Sequence, residues 1–214
     1  MSYNDKPKHS YIEVMKLSFI QNIIHKDAPT PTITFIIPTI GRATLERSLL
    51  SLKNQTSPHW NAIVVFDGIQ PTITNNDPRI QFLTIEKKGN GWAGYVRNEG
   101  MKHVKTEWIG FLDDDDVLTP NYMAKFQIEA RNNPDAIIFR MKYSNGAVLP
   151  PIHETTFKQD FVGISFCFQT RIFQKEGLEF KQSGIEDYEF LNTLREHNKR
   201  VVISQYITYL VRPM

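Results

Sequence analysis

Four acidic side chains in a row, Asp113, Asp114, Asp115 and Asp116, follow directly on a short apolar run, Trp108, Ile109, Phe111 and Leu112. Residues 107–120 read EWIGFLDDDDVLTP, and few folds accommodate that order. The apolar run has the length of a buried strand. Thr119 and Pro120 have the form of a hydroxyl N-cap followed by proline at the first helical position. A strand that ends in carboxylates and leads into a helix puts those carboxylates at the carboxyl end of a sheet strand, where open α/β sheets bind ligands. Like charges crowded into one turn repel unless something positive neutralises them, and hard divalent cations are held by carboxylate oxygens. Two readings are open, a metal site and a solvated acidic turn; the strand in front favours the metal site.

The rest of the first half alternates strand with helix. Residues 32–37 are β-branched and aromatic and stop at Pro38; Leu45, Leu49 and Leu52 mark a helix to about Gln55; residues 62–66 form a second buried strand ending at Asp67-Gly68. Residues 80–85 offer a third strand, followed by the loop Lys87-Lys88-Gly89-Asn90-Gly91 and a helix carrying Arg97 and Asn98. Beyond the aspartates, Tyr122, Phe126 and Ala130 continue a helix and residues 136–141 a strand. This alternation predicts a mostly parallel mixed sheet flanked by helices, an α/β class. Residues 144–160 lose periodicity, as functional loops do. Residues 162–169 are strand-like, Ser183 to Glu186 has capping-box spacing before a helix with Phe190, Leu191 and Leu194, and residues 201–204 and 207–211 close as two short strands.

Several of these residues carry two readings. Asp67 fits either a ribose contact at the end of a βαβ strand or plain Asp-Gly turn chemistry. The Lys87 to Gly91 loop fits phosphate or a simple connection. His153 reads first as a surface residue. Glu186, Asp187 and Glu189 are explained by the dipole of the helix they begin, and one of them is equally placed to act as a general base.

Length and composition narrow the field. A chain of 214 residues suits one domain with a real core. With 25 basic against 23 acidic residues, and no basic cluster interleaved with aromatics, a nucleic-acid partner is not expected. Cys167 is the only cysteine, so no intrachain disulfide forms and a reducing compartment is expected. No apolar run reaches membrane-spanning length and the N-terminal residues lack signal-peptide form, which makes a cytoplasmic location the expectation. Ile12, Met15, Phe19, Ile20, Ile23 and Ile24 recur at helical spacing. Residues 1–30 are therefore expected to be an amphipathic helical extension, packed on the chain's own body or contacting a partner or a membrane periphery.

Taken together, the segments FIIPTIGRATLERSLLSLKNQT, AIVVFDG, GNGWAGYVRNEGMKHVKTEWIGFLDDDDVLTPNYM and GIEDYEFLNTL resemble, in order and spacing, the inverting glycosyltransferases of the GT-A fold, family 2. The resemblance runs from about Thr32 to Val211. It implies a Rossmann-like nucleotide-diphospho-sugar transferase domain over residues 31–214, with a nucleotide-binding half (31–116) and an acceptor and catalytic half (117–214). It implies donor contacts at Thr39, Asp67, Arg97, Asp113 and Asp114, a Mn²⁺ or Mg²⁺ held by Asp115 and Asp116, and Asp187 as catalytic base. The run of four aspartates leaves the register of the D-x-D motif open by one residue, so Asp114 can replace Asp113. The implied donor is a nucleotide sugar, most often UDP-linked, and the acceptor a glycan, lipid or protein. Gly68-Ile69-Gln70-Pro71 departs from the family's small polar run. Two alternatives stand beside this reading. IGFLDDDDVLT also fits the nucleophile motif of a haloacid-dehalogenase-type phosphatase, and a transferase fold can serve as a silent nucleotide-sugar binder.

Overall fold

The computed structural model describes Thr30, residues 32–87, Gly89 and residues 91–213. The expected N-terminal helix lies outside them. The strands are β1 (Ile33–Thr39), β2 (Trp60–Asp67), β3 (Ile80–Ile85), β4 (Trp108–Phe111), β5 (Val117–Leu118), β6 (Ala136–Tyr143), β7 (Val148–Leu149), β8 (Phe166–Gln169) and β9 (Val201–Val211). The helices are α1 (Leu45–Lys53), α2 (Gly94–Met101), α3 (Tyr122–Ala130), α4 (Thr170–Glu176) and α5 (Glu186–Glu196). One mixed sheet runs β3-β2-β1-β4-β8-β6-β9-β5, with β7 paired to β6.

Parallel pairing governs the first half. β1 lies between β2 and β4, parallel to both, and every residue of β1 is buried, as befits a strand covered on both faces. Its pairing with β4 ends at Ile36 opposite Phe111, and Leu112 N–H donates to Ile36 O. Pro38, two residues on, therefore turns its missing N–H to a side where no ladder remains, so β1 continues through it to Thr39. In the second half β8 runs antiparallel to β4 and β6, while β9 runs parallel to β6 and antiparallel to β5.

The sequence expectation and the structure differ at five places. Thr119 and Pro120 do not open the helix. Val117 and Leu118 first pair with Leu210 and Tyr209, so α3 starts at Tyr122, and the Thr119 hydroxyl donates to Asn121 Oδ1 at 2.7 Å. Ser183 is likewise not an N-cap: α5 begins at Glu186 and the Ser183 hydroxyl donates to Glu189 Oε2 at 2.5 Å. The strand over 162–169 is confined to β8. A seven-residue helix, α4, follows it and stops at Gly177, whose φ of 61° closes the last turn in the left-handed region. The two closing strands are one, β9, bent past Ser204 by register irregularities against β6 between Ile138 and Met141.

Two packing arrangements position the site. α1 buttresses the aspartate turn: the Ser48 hydroxyl donates to Asp116 O at 2.6 Å, and Ser51 Oγ accepts from Leu118 N–H at 3.1 Å. Buried backbone groups of an irregular turn need such partners. Phe111, Phe166, Phe168, Phe180 and Phe190 form a ring cluster with centroids 4.5–6.2 Å apart. α5 is seated on that cluster through Phe190, with Leu191 and Leu194 also buried.

Candidate active site

A cleft of about 560 Å³ opens at the carboxyl ends of the parallel strands. Thr39 reaches it from the end of β1, Asp67 from β2, Lys87 and Gly89 from the loop after β3, and Asp113, Asp114 and Asp115 from the turn after β4. Arg97 enters from α2, and Glu186 and Asp187 from the first turn of α5. The inward turn of the last pair follows from helical spacing: Glu186 and Asp187 stand four residues before the buried Phe190 and Leu191, hence on the same face. Of the donor, metal and base residues that the resemblance implied, all but Asp116 line the cleft, and Glu189 does not. His153 is exposed and lies outside it.

The four aspartates diverge. Asp113 pairs with Arg97 Nη2 at 2.7 Å, and its N–H donates to the Tyr209 hydroxyl at 3.1 Å. Asp114 turns inward, accepting from the Thr39 hydroxyl at 2.6 Å and from Arg42 Nη1 at 2.7 Å. Burial raises its pKa, against the lowering effect of those two donors. Asp115 meets Arg212 Nε at 3.0 Å and Arg42 Nη1 at 3.5 Å. Asp116 is buried behind the turn, where Arg212 N–H donates to its Oδ1 at 2.8 Å. Burial, followed by the charge of Asp113, pushes its pKa up to about 7.

Arg97 is buried at the centre of a carboxylate triangle. Besides Asp113 it binds Glu186 Oε1, and its Nη1 lies 3.7 Å from Asp187 Oδ1. Burial alone would lower its pKa; the three carboxylates more than reverse this and raise it. Glu186 also accepts Gly94 N–H at 3.1 Å. A Cβ at Gly94 would stand 2.6 Å from Lys181 O and 2.8 Å from Glu186 Oε2, so only glycine lets the start of α2 approach the start of α5. Asn98 completes this junction, exchanging hydrogen bonds of 2.8 and 2.9 Å with the backbone of Phe180.

Asp187 is the exception in this network. Its Oδ1 is buried and has no hydrogen-bond partner among the described residues. Burial, with the charges of Asp113 and Glu186, overcomes Arg97 and pushes its pKa up to about 7. A carboxyl group half-protonated near neutrality beside an open cleft suits a proton acceptor. At the end of β2, Asp67 is buried and accepts Gly89 N–H at 3.0 Å. A Cβ on Gly89 would come within 2.8 Å of that oxygen.

Asp113, Asp115 and Asp116 each bring a carboxylate oxygen within 4.8 Å of the others. This all-oxygen set matches a hard divalent cation. Asp114 does not belong to the group, because its oxygens are taken by Thr39 and Arg42. Sequence reasoning missed Glu186 as a partner of Arg97, as well as Arg42 and Arg212. Arg42 lies three residues beyond Thr39 in the same turn, a proximity visible in the sequence; the approach of Arg212 to Asp115 had no local signal.

The model of glycosyl transferase family 2 matches residues 34–199 of this chain. Among curated proteins, the proposed glycosyltransferase EpsH of Bacillus subtilis (strain 168) is 30% identical over 115 residues, 51% of this chain and 33% of that protein. The GalNAc(5)-diNAcBac-PP-undecaprenol beta-1,3-glucosyltransferase of Campylobacter jejuni is 25% identical over 178 residues, 79% of this chain and 54% of that one. The chain thus spans about a third to a half of these relatives' length. The crystal structure of residues 1–349 of S. aureus TarS superposes with a TM-score of 0.69 at 19% identity, covering 84% of this chain and 60% of that one. At that identity the likeness concerns the fold, which is GT-A. Neither the phosphatase nor the silent-binder alternative is favoured by these comparisons.

Proposed function

We propose a function from one premise: the chain belongs to glycosyl transferase family 2. It transfers a sugar from a UDP-sugar to an acceptor hydroxyl with inversion at the anomeric carbon. The observation that carries this reading is the buried Asp187 oxygen, without a hydrogen bond among the described residues, in the same cleft as Asp113 and Asp115. A silent binder has no use for such a group, whose burial without a hydrogen bond costs stability.

The roles follow from position. Asp67 and Thr39 flank the nucleoside end of the donor, with the Thr39 hydroxyl holding Asp114 rather than reaching the base itself. Asp187 accepts the proton of the attacking hydroxyl, and a well-placed base contributes roughly 10² to 10⁴ in rate. Arg97, 3.7 Å away, steadies the ionised carboxylate before it takes the proton. When bound by Asp115 and Asp116 with Asp113, Mn²⁺ or Mg²⁺ would act as a Lewis acid toward the leaving diphosphate. TarS has been crystallised with UDP and with UDP-GlcNAc, which supports the UDP donor. The name of the Campylobacter relative supports a lipid-linked glycan among the glycan, lipid and protein acceptors. Action in the cytoplasm is supported by the single, buried and unpaired Cys167. Among the described residues no helix is long and apolar enough to cross a membrane.

Calorimetric titration of a panel of nucleotide sugars, with and without Mn²⁺, tests the reading. One UDP-sugar binding only with the metal is the expected result. Binding of none would overturn the donor assignment, and metal-independent binding would overturn the cation's role.

A further inference from the structure

Arg212 is held in a way its exposure does not explain. Its φ is 41°, in the left-handed region, where the other non-glycine residues among those described are asparagines, Asn133 and Asn198. An arginine gains nothing locally there, and such strain persists only where the surroundings over-determine it. Here they do, through the aspartate turn. Arg212 N–H is bonded to Asp116 and its Nε to Asp115, the Tyr209 hydroxyl receives Asp113 N–H, and Arg47 binds both Pro213 O and Asp115 O. Yet the Arg212 side chain is 74% exposed and lines the cleft, and its two terminal nitrogens bond no described residue. Arg42 Nη1 approaches the same Asp115 Oδ2 from another element.

We propose that Arg212 is a diphosphate-binding residue that shares Asp115 with the divalent cation. It neutralises Asp115 while the cleft is empty, gives up that carboxylate when the cation is bound, and turns its guanidinium onto the leaving diphosphate. The planar fork suits two phosphate oxygens, and the fixed backbone keeps the side chain within reach of both positions. Arg42, tied more firmly to Asp114 at 2.7 Å, is the stationary member of the pair. This inference rests on the nucleotide-sugar reading of the cleft.

The test compares wild type, Arg212→Ala and Arg212→Lys, titrated with UDP, GDP and dTDP and their monophosphates in saturating Mn²⁺. Mn²⁺ binding without nucleotide is followed separately by electron paramagnetic resonance. In the alanine variant the preferred diphosphate should bind about tenfold to a hundredfold more weakly, with the monophosphate little changed. The lysine variant should recover part of the loss. Mn²⁺ alone should bind Arg212→Ala about two- to fivefold more tightly, since the competing charge has gone; this also shows that the aspartate turn is still folded. Equal diphosphate affinity in wild type and Arg212→Ala would overturn the proposal, as would weaker Mn²⁺ binding by the variant. If wild type binds no nucleoside diphosphate, the donor reading itself fails and this inference falls with it.

Discussion

Residues 113–116 and residues 186–187 are both runs of adjacent carboxylates at one cleft, and they resolve their repulsion differently. In the aspartate turn each neighbour has its own nearest donor group, with Arg42 also reaching Asp115: Asp113 has Arg97, Asp114 the Arg42 and Thr39 side chains, Asp115 the Arg212 side chain, and Asp116 the Arg212 backbone N–H. At the start of α5 a single arginine serves two acids, and the hydrogen bonds go to Glu186. Asp187 is left with a charge-facing but unpartnered oxygen. A partnered carboxylate is fixed in place. Burial raises Asp116 and Asp187 alike, but only Asp187 faces the cleft, where its proton affinity is open to chemistry at neutral pH. Adjacent acids thus acquire different environments through unequal sharing of donors.

The contrast breaks most visibly at Asp187. Asp187→Asn keeps the shape but removes the proton acceptor, so nucleoside diphosphate release from the donor in the presence of acceptor should slow by roughly 10² to 10⁴. Calorimetric donor affinity should stay within a factor of two or so of wild type. A variant that turns over at the wild-type rate would remove Asp187 from the base role.

Glu186→Ala should erase the difference between the two acids. Arg97 then loses its partner on α5 and is free to close on Asp187. Breaking a buried pair in this way costs about 3 kcal/mol, less whatever the new contact returns. Urea denaturation reads the loss, and the acid limb of the rate profile should move to lower pH as Asp187 gains a full counter-charge. A profile that stays in place would mean that Arg97 does not redistribute.

The smallest effect is on stability against pH. Asp116 and Asp187 are both raised by burial from 3.8 to about 7. Between those values the folded chain keeps protons that the unfolded chain has released, so stability falls as pH rises through that window. The Tm should therefore drop between pH 5 and pH 7.5. Asp116→Asn, which mimics the protonated form and can still accept from Arg212 N–H, should flatten the slope and raise Tm at pH 7.5 by a few degrees. An unchanged slope would show that Asp116 is ionised throughout.

Much of the frame is legible in residues close together in the chain. The apolar runs of β1, β2 and β4 and the leucines of α1 identify themselves by period, and their alternation dictates parallel pairing with strand ends converging on one edge. Asp67, Asp113 and Arg97 follow, because each stands within a turn of such an end. Elements decided by distant partners were less legible. β5 is two residues long and exists because β9 lies beside it. α4 is too short to show a period, and Gly177 is its only local mark. The polar Ser204 reads as a break between two strands, but it is buried within β9, where its hydroxyl bonds Glu129 Oε1 at 2.8 Å.

The sequence by itself determined the alternation of strands and helices in the first half and the edge at which the acids gather, since hydrophobic period and turn chemistry act over a few residues. Only the tertiary structure decided which acid holds which cation. Glu186 and Arg97 are 89 positions apart in the chain, Asp115 and Arg212 97. Electrostatic pairing in a buried cleft depends on distance in space and on the water removed, and neither is written in the spacing of residues along the chain.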